Sequence, residues 1–206
     1  MGRQRTFDHD EVVRSARDLF WSRGYAEAGI GELEEATSLK RSSLYHAFGS
    51  KRGLFEAVVV DYLAHVARPR LAALRQNDPA PDALERYLGA LRAEITSPSS
   101  SARSGCLLVN AACTPLASED EGVRVIIAEY TDEIRGAVRA GVAARRPDLD
   151  GASQRTLAVT CSSLVLAALA QARADDEAAA ESLDAAAAVL ATWQPRVAQG
   201  SFTAVP

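Results

Sequence analysis

Cysteine is scarce in this chain: Cys106, Cys113 and Cys161 are the three among 206 residues. Their number is odd and none stands at a short paired spacing, which argues against a disulfide framework or a zinc site and for a reducing compartment. No metal and no cofactor are expected. Long apolar runs are also missing, since each breaks well short of the roughly 18 residues that a membrane helix needs. Residues Met1 to Glu11 lack the apolar centre of a secretion signal, so the cytoplasm is the expected location and no membrane partner is foreseen. Val, Ile and Thr seldom cluster, which removes the usual signature of strands. No internal repeat is visible. Basic charge is not in surplus either: 23 Lys and Arg against 27 Asp and Glu leave a formal net charge of −4. A chain that binds nucleic acid by overall charge is thereby excluded, and any such contact must rest on local charge.

What is abundant is alanine, the best helix former, within a hydrophobic content of 48%. The pattern predicts an all-α protein of about nine helices, with an N-terminal three-helix bundle over residues 1–52 and a larger helical domain over 53–206. Asp8 and Glu11 form a capping-box pattern ahead of Val12, Ala16, Leu19 and Phe20 at helical spacing, and Gly24 closes that segment. Short helices are predicted over about 30–36 and 40–46. A longer one is capped by Ser50 and ends near Arg68 and Pro69. Further helices are expected through Leu84 to Ile95, from Gly105 to before Pro115, from a capping box at Ser118 to Glu121 onward, and over 151–174 and 177–192. Ser97 to Ser104 reads as a loop.

Two short helices joined by a tight turn cannot bury a core alone. Ile30, Leu33, Leu39, Leu44 and Phe48 sit where a helix-turn-helix needs inward apolar groups, with Leu19 and Phe20 behind them. The second short helix then turns Lys40, Arg41, Ser42, Ser43, Tyr45 and His46 outward. Such a rod fits the DNA major groove, where its first residues meet base edges and flanking groups meet phosphate. Lys40, Arg41, Lys51 and Arg52 carry four positive charges with no acid among residues 40–52. Tyr45 and Lys51 suit phosphate, and Arg3 and Arg5 add a second basic cluster. An enzyme reading finds no nucleophile, base and orienting group at useful spacing and no phosphate-binding glycine loop.

Gly24-Tyr25, then Ser43-Leu44-Tyr45-His46-Ala47-Phe48-Gly49-Ser50-Lys51, then Leu54-Phe55 resemble the signature of the tetracycline-repressor (TetR) family over about residues 12–59. The resemblance implies a repressor that binds a palindromic double-stranded DNA operator as a homodimer. It also implies pairing through the last two long helices and release by a small-molecule effector. Three positions depart from the pattern. Ala28-Gly29 replaces a capping Thr or Ser, Glu34 stands where a small or apolar residue is usual, and Ser38 takes a place where glycine often permits a left-handed turn.

The resemblance places the effector pocket among the middle helices. Candidate lining residues are Tyr62, His65, Tyr87, Leu91, Cys106, Asn110, Cys113, Tyr130, Ile134 and Leu164, aromatic hydroxyls and an amide amid leucines. Cys106 follows Gly105 at a helix start, where the backbone dipole favours a thiolate. A thiol sensor of electrophiles or oxidants is therefore an alternative on the same scaffold, weighed against an inert buried cysteine. A helical interaction module with weakened DNA binding is the other. Leu157, Cys161, Leu164 and Ala168, with Leu183, Ala187 and Leu190, are the expected set by which the last two helices meet those of a two-fold mate in a four-helix interface.

Overall fold

The computed structural model describes residues 7–194, so Arg3, Arg5 and the segment from Pro195 lie outside the described residues. Within these bounds the chain has no strand and forms nine helices of six residues or more. The first three are α1 (His9–Arg23), α2 (Ile30–Thr37) and α3 (Arg41–Phe48). Helix α4 starts as Lys51–Tyr62, passes through a π turn at Leu63–Ala67 and ends as Arg68–Leu71. Then follow α5 (Ala83–Thr96), α6 (Leu107–Ala112), α7 (Glu121–Arg145), α8 (Gly151–Gln171) and α9 (Asp176–Thr192). A 3-10 turn at Ser101–Ser104 and a helical turn at Pro115–Glu119 join their neighbours.

The helix starts follow capping chemistry. Asp8 accepts from the backbone N–H groups of Asp10 and Glu11, and the Ser50 hydroxyl accepts from Gly53 at 3.0 Å. Two boundaries differ from expectation. α7 is capped by Asp120, which accepts from Val123, and not by Ser118, whose hydroxyl bonds back to Pro115. Pro115 starts its own helical turn and so uses up the residues before Asp120. α4 also runs past Pro69. The π turn places the N–H of Arg68 on the carbonyl of Leu63, and Pro69 then opens a new turn, where its missing N–H costs little.

The head packs through aromatic rings. Phe20 of α1 meets Phe55 of α4 edge-on at 5.3 Å, and Tyr25 lies 4.9 Å from Phe55. Leu54, Phe55 and Val58 are buried in this same core. A boundary at 52/53 thus cuts the first turn of a helix that serves both parts. Arg17 of α1 bonds Asp61 of α4 at 2.9 Å and fixes their register.

Helices α8 and α9 form an antiparallel pair behind α5 and α7. Leu157, Cys161, Ala168, Leu183 and Leu190 are fully or almost fully buried inside the protomer, so they cannot meet a partner chain. This corrects their assignment to an outer pairing surface. Leu164 and Ala187 are half-buried, and Val159 is 65% exposed. Among the described residues, no helix is long and apolar enough to cross a membrane.

Candidate nucleic-acid interface and effector core

Helix α3 is held by one side and offers the other. Leu44 is 2% exposed and anchors it to the head, while Leu39 and Phe48 pack at its ends. Lys40, Arg41, Ser42 and His46 are exposed, and Ser43 and Tyr45 are half-exposed. The Arg41 guanidinium lies over the Tyr45 ring at 5.1 Å, a cation–π contact that joins two of the predicted DNA residues on one face. The turn before α3 is set by Ser38, at φ 57° and ψ 18°, the left-handed conformation that costs a non-glycine residue about 1 kcal/mol. Thr37, buried beside it, donates its hydroxyl to the Leu33 carbonyl at 2.6 Å and accepts from Leu39 N–H at 3.4 Å.

The other two departures from the family pattern are compensated. Gly29 supplies no capping oxygen, but Glu32 reaches back and accepts from Gly29 N–H at 2.9 Å, the reciprocal half of a capping box. Glu34 turns outward and accepts from Arg41 N–H at 2.9 Å, so its carboxylate caps the start of α3. Sequence spacing gave no sign of that bond, because donor and acceptor sit on different helices.

The four-charge basic edge shrinks to two outward cations. Arg52 is bound to Asp120 through two nitrogens and pairs with Glu56 at 2.9 Å. Lys51 lies 4.8 Å from the Tyr25 ring centre and donates to the Ala26 carbonyl at 3.3 Å. Partial burial lowers its pKa, against the opposing pull of Glu27 and Glu32. Lys40 and Arg41 alone among the four point to open solvent.

The head joins the second domain through contacts between residues far apart in sequence. The indole N–H of Trp21 donates to the Gly105 carbonyl at 2.9 Å in a buried bond, and Cys106 N–H donates to the Leu169 carbonyl of α8 at 3.3 Å. Gly105 sits at φ 73° and ψ −142°, and a Cβ there would lie 2.3 Å from that carbonyl. Only glycine fits. Arg52 and Asp120 make a second strut, between α4 and the α7 cap.

Of the predicted effector residues, Tyr62, Tyr87, Leu91, Cys106, Tyr130 and Ile134 are buried, and the three tyrosines gather with Cys106 in one core. Burial drives all three phenol pKa values upward, so each is a neutral hydroxyl. Burial raises the pKa of the Cys106 thiol in spite of the neighbouring Tyr62 hydroxyl and the backbone N–H groups of Leu108 and Val109. That reverses the direction expected for a reactive thiolate at a helix start. A small cavity of about 90 Å³ beside this core is lined by Arg70, Tyr87, Leu91 and Glu94, and the Arg70–Glu94 ion pair at 2.6 Å spans it.

Four residues leave the core set. His65 is exposed and bonds Asp61 on the solvent side of α4. Cys113 is exposed at the end of α6, and with Asn110 it lines a different cavity, between α6 and the head. Leu164 is half-buried on α8.

A compact head with an anchored α3, a cationic exposed face and a coupled helical domain defines a helix-turn-helix DNA-binding regulator. The family model described as bacterial regulatory proteins, tetR family, matches residues 12–58. A cysteine-substituted form of the TetR-family transcriptional regulator CifR, solved with a 26-base-pair double-stranded operator DNA, is 32% identical. The match covers 94% of this chain and all of CifR, with a TM-score of 0.74. The chain belongs to the TetR family of transcriptional regulators. The HTH-type transcriptional repressor ComR of Escherichia coli K12 is 37% identical over 122 residues, 59% of this chain and 56% of ComR, so the chain spans a little over half of that relative. The repressor BdcR of the same organism is 29% identical over 146 residues, 71% of either chain. The reading as a regulator and not an enzyme agrees with this membership.

Proposed function

We propose that this protein is a cytoplasmic repressor that binds a palindromic operator as a homodimer and leaves it when a small effector enters the tyrosine core. The observation that carries the reading is α3, pinned by Leu44, with Lys40, Arg41, Ser42 and His46 exposed and Arg41 lying over the half-exposed Tyr45. Ser43 is half-exposed beside them, and Lys51 meets phosphate by turning out from Tyr25. One eight-residue reading helix is a weak binder, and two linked by dimerisation reinforce each other. The outer face of α8, with Val159, supplies the pairing surface together with α9.

The effector step follows from space. About 90 Å³ is far below the roughly 300 Å³ at which ligand cavities begin. An effector therefore enters Tyr62, Tyr87, Cys106 and Tyr130 only by parting α4 from α5 and α7. Tyr62 lies on α4, whose first turns pack on α1 in the head. Parting these helices changes the head spacing, and the effector's preference for the opened state supplies the coupling free energy.

The test is a footprint on the intergenic DNA beside the protein's own gene, followed by a screen for compounds that erase it. A two-fold symmetric footprint that fades with added salt and with one class of compound supports the reading. No protection at low salt refutes it.

A further inference from the structure

A cavity of about 290 Å³ separates the head from the second domain, far larger than the space beside the tyrosines. Tyr25, Ala111 and Pro115 form apolar walls, with Phe20, Phe55 and Leu107 buried behind them. Arg173, in the turn between α8 and α9, stands at its rim. Its Nη2 donates to the Trp21 carbonyl at 2.7 Å, and its Nη1 lies 3.8 Å from where a Cβ on Gly24 would be. No carboxylate pairs with Arg173 among the described residues, whereas the other arginine at this cavity, Arg23, is bound to Glu32 at 2.6 Å. Glu27, the one acid on the lining, lies where its charge acts on Arg23 and Lys51.

An apolar cleft with a single uncompensated guanidinium at its edge suits one kind of ligand. We propose that this cleft is a second small-molecule site, apart from the tyrosine core, that takes an amphipathic organic anion. A carboxylate meets Arg173, and an apolar body lies against Tyr25, Ala111 and Pro115. Guanidinium and carboxylate match in geometry and charge, and the apolar walls shed water onto the same ligand. Because its walls come from the α1–α2 turn, α4, α6 and Arg173, an occupant braces the head against the second domain.

Octanoate is the probe, with octylammonium as the charge-reversed control, and binding is read calorimetrically without DNA. The exposed thiol of Cys113 on the lining gives an independent signal, since occupancy slows its alkylation by N-ethylmaleimide. Octanoate is expected to bind saturably and protect Cys113, and octylammonium to do neither. Arg173→Met should weaken octanoate about tenfold, the loss of one charge-assisted contact. Ala26→Trp, at an exposed position on the rim, should block binding while leaving the core intact. No saturable binding at millimolar octanoate overturns the proposal, as does undiminished binding in Ala26→Trp, which would place the anion elsewhere. DNA titration of the same samples keeps a failure here separate from a failure of the repressor reading.

Discussion

Replacing Gly105 by alanine tests the joint between head and second domain. The backbone there, φ 73° and ψ −142°, is open to little but glycine, and a side chain pays about 1–3 kcal/mol for it. The new Cβ would sit 2.3 Å from the Leu169 carbonyl, so the loop must move by roughly 1 Å to reach ordinary contact near 3.4 Å. That shift stretches two bonds, from Trp21 to Gly105 and from Cys106 to Leu169, each worth about 0.5–1.5 kcal/mol and more where a buried partner is left unmet. The sum is about 2–6 kcal/mol, a large share of the 5–15 kcal/mol that holds a typical domain. At a urea slope of about 2 kcal/mol per molar, the unfolding midpoint should fall by about 1 M or more. Gly89→Ala, in the exposed interior of α5 with nothing within 4 Å of the new Cβ, serves as control. It should gain roughly 0.5–1 kcal/mol from helix propensity. A Gly105→Ala midpoint within about 0.3 M of the parent, at the same slope, would refute the reasoning.

Other outcomes follow from single contacts. Arg52 holds the Asp120 carboxyl down to about 2 from an ordinary 3.8. The folded state is thus the stronger acid, and the stability this pair adds is full above about pH 4 and lost as pH falls towards 2. Asp120→Asn should flatten the urea midpoint across that window and leave the neutral-to-alkaline side parallel to the parent. Ser38→Gly relieves a left-handed serine and should raise stability by roughly 0.5–1 kcal/mol, measured by thermal unfolding. Glu34→Gln keeps an oxygen for Arg41 N–H but removes a negative charge beside the reading face. Affinity for any duplex should rise roughly two- to fivefold at low salt and converge with the parent at high salt, in an anisotropy titration.

Much of this architecture was legible because local chemistry dictates it. Asp8, Ser50 and Gly24 mark helix ends through their own backbone bonds, and the inward set Leu33, Leu44 and Phe55 follows helical period. The positions missed are those decided by partners distant in sequence. Arg52 counted as a DNA cation until Asp120, 68 residues on, was seen to hold it. Trp21 and Gly105 are 84 residues apart. His65 shares a helix with Tyr62, and only the packing of α4 decides which of them faces inward. Helix α8 is rich in apolar and small residues all round, so period alone could not separate the stripe packed inward from the outer face that keeps Val159. The junction cavity was invisible for the same reason, because its walls come from four separate stretches of chain.

The central claim is that α3 reads DNA with the face around Arg41 and Tyr45. The most direct measurement is an anisotropy titration of the protein's own upstream duplex at several salt concentrations, with sedimentation as a check on assembly. Arg41→Ala and Tyr45→Ala should each weaken binding about tenfold, in line with losses of 1–3 kcal/mol for a specific contact, with assembly unchanged. Lys40→Ala should lower the salt slope by about 1. Variants that bind as the parent does, with the same slope, would contradict the account.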